Sequence, residues 1–233
     1  MKSEGTTTRT DDPIASYSSK GPTAFDNHVK PDLVAPGNLI VSTMPGGLTL
    51  SEKYPASQVG GDFFTLSGTS MAAPVVSGAA VLLLQKTPSL TPDLVKARLM
   101  KNATRNFPAS SVATDPITKL AYTSYYDIFT IGAGYLDIAA ALADTAVAYG
   151  NAHSPSVTYN PATARVTLQG IGAASVIWGN SVIWGTSVIW GTNVVSDSSV
   201  VSGTSVIWGT SVIWGTSTGD SAESIPVAII GEP

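Results

Sequence analysis

The chain has 233 residues, enough to bury a sizeable core as one domain with an appendage. Charged residues make up only 12% and the net charge is −4, so no basic stripe exists to neutralise phosphates, which argues against a nucleic-acid partner. With no cysteine, disulfides and thiolate metal sites are ruled out; secretion is neither supported nor opposed.

Met1-Lys2-Ser3-Glu4-Gly5 runs directly into polar, Thr-rich sequence with no secretory leader. Ile14–Ser19 alternates as a strand would and is closed by Lys20-Gly21-Pro22. Lys30-Pro31-Asp32-Leu33-Val34-Ala35-Pro36-Gly37 leads to a second expected strand, Leu39–Met44, ended by Pro45-Gly46-Gly47. A polar loop, Leu48–Asp62, precedes the apolar run Phe63–Leu66. There the chain reads as strand, tight Gly68-Thr69-Ser70 turn, then a helix to about Gln85 that is apolar almost all round.

A serine at such a junction has two readings. It caps the helix, as most serines before an apolar run do. Alternatively it is a nucleophile lifted clear of a sheet, its own N–H at the positive end of the helix dipole. Pro74 is expected in the first turn, where its missing N–H matters least, and mid-helix Gly78 implies close packing against a neighbour. The apolar run is shorter than the roughly 20 residues that span a bilayer, so a buried core helix is expected.

Thr91-Pro92-Asp93 is a helix start with an N-cap, Pro at the first position and an acid in the first turn. That helix should run to about Asn102 with Leu94, Val95 and Leu99 on one face. Gly132-Ala133-Gly134 reads as a turn before a helix over Asp137–Leu142. Residues 147–174 read as a linker of turn formers with one strand, Ala164–Leu168.

From Ser175 to Thr216 the motif Ser-Val-Ile-Trp-Gly-Thr repeats with a period of six, in seven units. Units Asn193–Ser198 and Ser199–Thr204 lack the Trp; the other five hold every tryptophan of the chain, Trp178, Trp184, Trp190, Trp208 and Trp214. Ser-Val-Ile-Trp is strand material and Gly-Thr a turn pair. A meander, a hexapeptide β-helix and a low-complexity tail are all open, and so many tryptophans make a surface-binding or self-associating module a further expectation. The tail from residue 217 is irregular.

Gly68-Thr69-Ser70-Met71-Ala72-Ala73-Pro74 resembles the nucleophile motif of the subtilisin-like serine proteases. Ser18-Ser19-Lys20-Gly21-Pro22 and Lys30-Pro31-Asp32 with Ala35-Pro36-Gly37 are similar in order and spacing to motifs upstream of that nucleophile. Gly132–Leu142 resembles the closing turn and helix of the same domain, so the likeness covers residues 1–146. The resemblance implies an α/β fold: the C-terminal part of a parallel-sheet peptidase domain, followed by a β-rich or disordered repeat segment. It also implies an extracellular or cell-surface endopeptidase acting on polypeptides through an acyl-enzyme on Ser70, with Thr65, Leu66 and Ser67 flanking the substrate cleft.

Several catalytic parts have no match. In the family the orienting Asp and the base His precede the Ser, and an Asn side chain completes the oxyanion hole. His28, in Asp26-Asn27-His28-Val29, matches no catalytic motif and reads as a bystander; His153 reads as linker. Asn38, Asn102 and Asn106 have no motif support for the oxyanion role. The chain is therefore expected to be a fragment, inactive by itself. A rival α/β-hydrolase reading joins Ser70 to Asp137 and His153, but Ala72 replaces the final Gly of that elbow. No cofactor is implied, and no acids have metal-ligand spacing. A non-catalytic remnant that binds through its Trp repeat is the competing class.

Overall fold

The computed structural model describes residues 1–114, 119–146, 152–160, 162, 165–169 and 200–202. In chain order these form β1 (Ile40–Thr43), α1 (Thr49–Lys53), a 3₁₀ turn at Pro55–Ser57, β2 (Gln58–Val59), β3 (Phe63–Leu66) and α2 (Thr69–Lys86). They continue with α3 (Pro92–Lys101), β4 (Ser110–Thr114), β5 (Ala121–Tyr125), α4 (Ile128–Ile131), α5 (Ile138–Ala143), β6 (Ser156–Asn160), β7 (Arg165–Gln169) and β8 (Val200–Ser202). No described helix is long and apolar enough to cross a membrane. Most of the hexapeptide array and the tail lie outside the described residues.

Three small sheets form, ordered β1-β3-β2, β4-β5 and β6-β7-β8, and every strand pair in them is antiparallel. The sole parallel contact among the described residues is the bridge Val34↔Tyr135. Around it Val34 N–H donates to Gly134 C=O at 2.9 Å and Leu136 N–H to Val34 C=O at 2.8 Å. The parallel sheet expected from the resemblance is thus represented by this one ladder.

α2 is the spine of the main core. Ala72, Val75, Val76, Ala79, Ala80 and Leu83 face Val95 and Leu99 of α3, Ala141 of α5, and Ile14, Val34 and Tyr135. A helix apolar all round has no polar face to turn outward. Its other side is accordingly bare: Ser70, Ala73, Ser77 and Gly78 are exposed, as are Val81 (62%) and Leu82 (42%). Gly78 does not pack closely, since a Cβ there would meet nothing within 4 Å. Pro74 falls in the second turn rather than the first, where it cannot donate to the Ser70 carbonyl.

α3 starts as read: Thr91 Oγ1 accepts the Leu94 N–H at 3.3 Å. It is buried on two sides, with Val95 and Leu99 in the main core and Ala97 and Met100 in a second cluster beside Ala133 and Ala152. Ile14–Ser19 is not a strand. Ile14 and Ala15 are buried, but Ser18 N–H turns back to Ala15 C=O at 3.0 Å and Ile14 N–H donates to Tyr126 Oη at 2.6 Å, so no ladder forms. The stretch read as linker holds a strand not foreseen, β6, as well as β7. Val157, Val166 and Leu168 of this hairpin pack on Val29, Ile128 and Phe129.

Candidate active site

The site is built from the residues between β3 and α2. β3 is central in its sheet, pairing Leu66 with Ile40 and Thr65 with Val41 on one side and Phe64 with Gln58 on the other. Phe64 is 2% exposed and anchors it. Leaving the strand, Ser67 turns inward, and its buried hydroxyl accepts the Leu39 N–H at 2.8 Å. Leu39 holds a positive φ of 55°, a conformation that disfavours side chains with a Cβ, and this bond helps to fix it there. Gly68 follows with φ 151°, a region open to glycine, and serves as the N-cap of α2.

Ser70 is therefore the second residue of α2 and is exposed. The capping reading fails, because Gly68 occupies the cap and no side chain bonds there. Among the described residues the Ser70 hydroxyl has no hydrogen-bond partner. Met71 and Ala72 N–H both turn back to Gly68 C=O, at 3.0 and 3.3 Å. The N–H groups of Thr69 and Ser70 precede that ladder and carry the positive end of an 18-residue helix, where a developing oxyanion is stabilised.

The upstream motifs converge on this turn. Gly68 N–H donates to Gly37 C=O at 2.7 Å, and Tyr17 Oη donates to the same carbonyl at 3.1 Å. A Cβ on Gly37 would lie 2.7 Å from Gly68 O and 3.0 Å from the Ala72 Cβ, so only glycine permits the approach. Asn38, buried at 8%, accepts from Tyr17 Oη at 3.4 Å and so belongs to this supporting layer. The sequence read the Gly37 turn and Ser70 as separate motifs. Their contact crosses 31 positions and leaves no local signal.

Among the described residues no base is hydrogen-bonded to Ser70. His28 bridges to Ser156 of β6, and its Nδ1 lies 3.2 Å from Ser154 O with its Nε2 3.6 Å from Asp26. Asp137 caps α5 through Ala140 N–H at 2.9 Å and pairs with Arg9 at 2.9 Å; the Ala140 bond first, then Arg9, hold its carboxyl below the usual range. It is spent on structure, which removes the orienting acid from the α/β-hydrolase arrangement. Asp32 is likewise committed. Burial would raise it, but Lys30, Ser154 and Lys96 outweigh that and keep it ionised at the junction with the β6–β7 hairpin. Asn102 caps α3 and bonds Asp144, so it takes no part near Ser70. Thr65 and Leu66 are half-buried on β3, next to the turn. Among the described residues no group of His, Asp and Glu could hold a metal ion.

The sequence profile of the subtilase family matches residues 5–127, more than half of the chain. Serine protease AprX of Bacillus subtilis (strain 168) is 44% identical over 104 residues, covering 45% of this chain and 23% of that protein. Subtilisin-like proteases SBT1.9 and SBT3.16 of Arabidopsis thaliana are 41% identical over 91 residues and 32% over 149, covering 12% and 17% of their own lengths. The chain spans less than a quarter of the length of each of these curated relatives. The profile match and the Gly37–Gly68–Ser70 construction coincide in sequence, and the chain belongs to the subtilase family.

Proposed function

We propose that Ser70 is the nucleophile of a subtilisin-type serine endopeptidase that cleaves polypeptides through an acyl-enzyme, and that this 233-residue chain is inactive by itself. The observation that carries the reading is an exposed, uncapped serine at the second position of α2, behind a glycine held at φ 151°. A hydroxyl is a weak nucleophile until a neighbouring base takes its proton. His28 is tied to Ser154 and Asp26 instead, and the base, its orienting Asp and the oxyanion Asn come from elsewhere in a complete catalytic domain. The backbone of Thr65, Leu66 and Ser67 then flanks the bound peptide; the buried Ser67 side chain supports the turn instead of touching substrate. Secretion follows from the family resemblance.

A fluorophosphonate probe tests both halves of the proposal. The isolated chain should not be labelled. A fusion placing the N-terminal part of the AprX catalytic domain ahead of residue 1 should be labelled, and Ser70→Ala should abolish that signal. Labelling of the isolated chain at Ser70 would overturn the inactive reading. A well-folded fusion that stays unlabelled would overturn the nucleophile.

A second reading is favoured by one observation. β8 belongs to the Trp-repeat array and is built into a sheet of the fold, which points to the array as a working part of the molecule that binds a surface or partner.

A further inference from the structure

β1 is an edge strand: its sheet runs β1-β3-β2, so it is paired on one side only. The register with β3 sets Ile40 against Leu66 and Ser42 against Phe64, and two residues on, Met44 N–H donates to Asp62 C=O at 2.8 Å. In an antiparallel pair the backbone groups face the neighbour at every second residue. Those of Ile40, Ser42 and Met44 therefore face β3, and those of Val41 and Thr43 face away from it. Among the described residues nothing bonds them.

This edge is unguarded. Sheets protect an edge with lysine, proline, a bulge, a very short strand or a covering element. The far edge, β2, is two residues long. Ile40-Val41-Ser42-Thr43 has no charge and no proline, and its register with β3 runs without a bulge. Residues 41–43 and 45–49 are all exposed, so no described element lies over the edge. The sheet face beside it is apolar: Phe63 sits opposite Thr43 and Val59 opposite Phe63, and Val41, Val59 and Phe63 are each about half exposed.

A row of free N–H and C=O groups is matched by another strand, and the outward groups of β1 match those of a second β1. Two antiparallel copies with Val41 against Thr43 pair every outward N–H and C=O, and place Ser42 against Ser42 on the two-fold axis. The neighbouring registers lose that match. Val41 against Val41 sets Thr43 against Leu39, whose N–H is held by Ser67 Oγ at 2.8 Å. Thr43 against Thr43 sets Val41 against Pro45, which has no N–H.

We propose that β1 pairs in this register with β1 of a second copy of the chain, joining the two three-stranded sheets into one. Across the seam Val41 of each copy lies beside Thr43 of the other, β-branched residues that suit cross-strand contact. The row Val59–Phe63–Thr43 continues into the other copy. Pairing consumes the free edge of both strands, so assembly closes at a two-fold dimer. The seam is short, which makes the dimer weak and exchanging. It uses no residue of the hexapeptide array. The peptidase reading plays no part here either, and the two fail separately.

The chain has no cysteine, so one introduced thiol reports on one contact. Opposed residues that are not hydrogen-bonded to each other lie about 4.5 Å apart at Cα, within disulfide reach. Under mild oxidation the full chain carrying Ser42→Cys should form a covalent dimer at least tenfold faster than one carrying Phe25→Cys, whose site is fully exposed on a loop. Adding Thr43→Pro removes an outward N–H, spares the bonds to β3, and should bring Ser42→Cys down to the Phe25→Cys rate. In the unsubstituted chain, amide exchange at Val41 and Thr43 should slow as concentration rises through a hundredfold series. Equal rates for the two cysteine variants, as association elsewhere in the chain would give, would overturn the proposal. So would a proline variant that still cross-links tenfold faster, or exchange at Val41 and Thr43 that is slow at every concentration because the same chain covers them. Protection that appears only when an unfolded polypeptide such as reduced casein is added would overturn it as well.

Discussion

The carbonyl of Gly37 accepts the Gly68 N–H at 2.7 Å, and that bond seats one turn against the turn that carries Ser70. The approach leaves no room for a methyl group, whose carbon would meet backbone at Gly68 O and the first carbon of Ala72. Neither obstacle is the end of a flexible side chain. Gly37→Ala should therefore lower stability by about 1–3 kcal/mol, the usual range for overpacking. Urea denaturation checks this, and an unchanged midpoint would mean that the turn is not held as described.

Gly78→Ala should act in the opposite direction. Its Cβ would point into open space, and glycine inside a helix is less favourable than alanine by about 0.5–1 kcal/mol. A rise of that size in the same denaturation experiment is expected. A fall would place a neighbour against α2 after all.

Ser67→Ala removes the acceptor for the Leu39 N–H at a position 1% exposed. The donor residue, Leu39, is 48% exposed, so water replaces the lost acceptor and the cost should be that of an ordinary hydrogen bond, about 0.5–1.5 kcal/mol. Because Leu39 holds a left-handed backbone, the loss should also loosen the start of β1. Faster hydrogen exchange at Leu39 and Ile40, with α3 unchanged, is the expected readout.

These contrasts show what the sequence made legible. The β3–turn–α2 unit and the Thr91 cap are local, and a few adjacent residues specify each through strand pattern, glycine and cap chemistry. Gly37 against Gly68 is a contact between distant residues, for which neither turn carries a signal. Ile14–Ser19 misled because alternation records which residues are buried, not whether a neighbouring strand exists; here Tyr126 takes the Ile14 N–H instead. β6 went unread because Pro155 and Asn160-Pro161 bracket it with turn formers, although Val157 inside is a core residue at 8% exposure. The motif around Ser70 makes it legible as the proposed nucleophile. That it is uncapped depends on backbone geometry at Gly68.

Two carboxylates should shape stability below neutral pH with opposite signs. Burial raises Asp144, but Asn102, Lys101 and the Ala146 N–H outweigh it and hold it at about 2, against an ordinary 3.8. Its contribution is present above the ordinary value and is lost as pH falls towards 2. Asp144→Asn should flatten the stability profile between about pH 4 and 2. Asp127 is the reverse. Burial raises its carboxyl, one oxygen bonds Phe129 N–H and Thr130, and the other is buried without a partner. Its neutral form is favoured, so its contribution is present below the ordinary value and is lost as pH rises through the raised one. Asp127→Asn keeps a cap acceptor and should stabilise the chain at pH 7 relative to pH 4; thermal melts across that range check both.

The two sides of α2 should answer differently to substitution. Leu83 is 1% exposed in the main core, and Leu83→Ala should cost about 2–5 kcal/mol through lost burial and the cavity left behind. Val81, two residues earlier, is 62% exposed on a face lined by Ala73, Ser77 and Gly78. Val81→Glu should stay within about 0.5 kcal/mol of the parent, as surface changes do. It should also reduce the fluorescence of a bound apolar dye such as anilinonaphthalene sulfonate, because it breaks an uncovered apolar strip of the kind that marks an unmet interface. In the AprX fusion the same change should become damaging if the added segment covers that face. A fusion that tolerates Val81→Glu as well as the isolated chain does would show that α2 keeps its outer side in solvent.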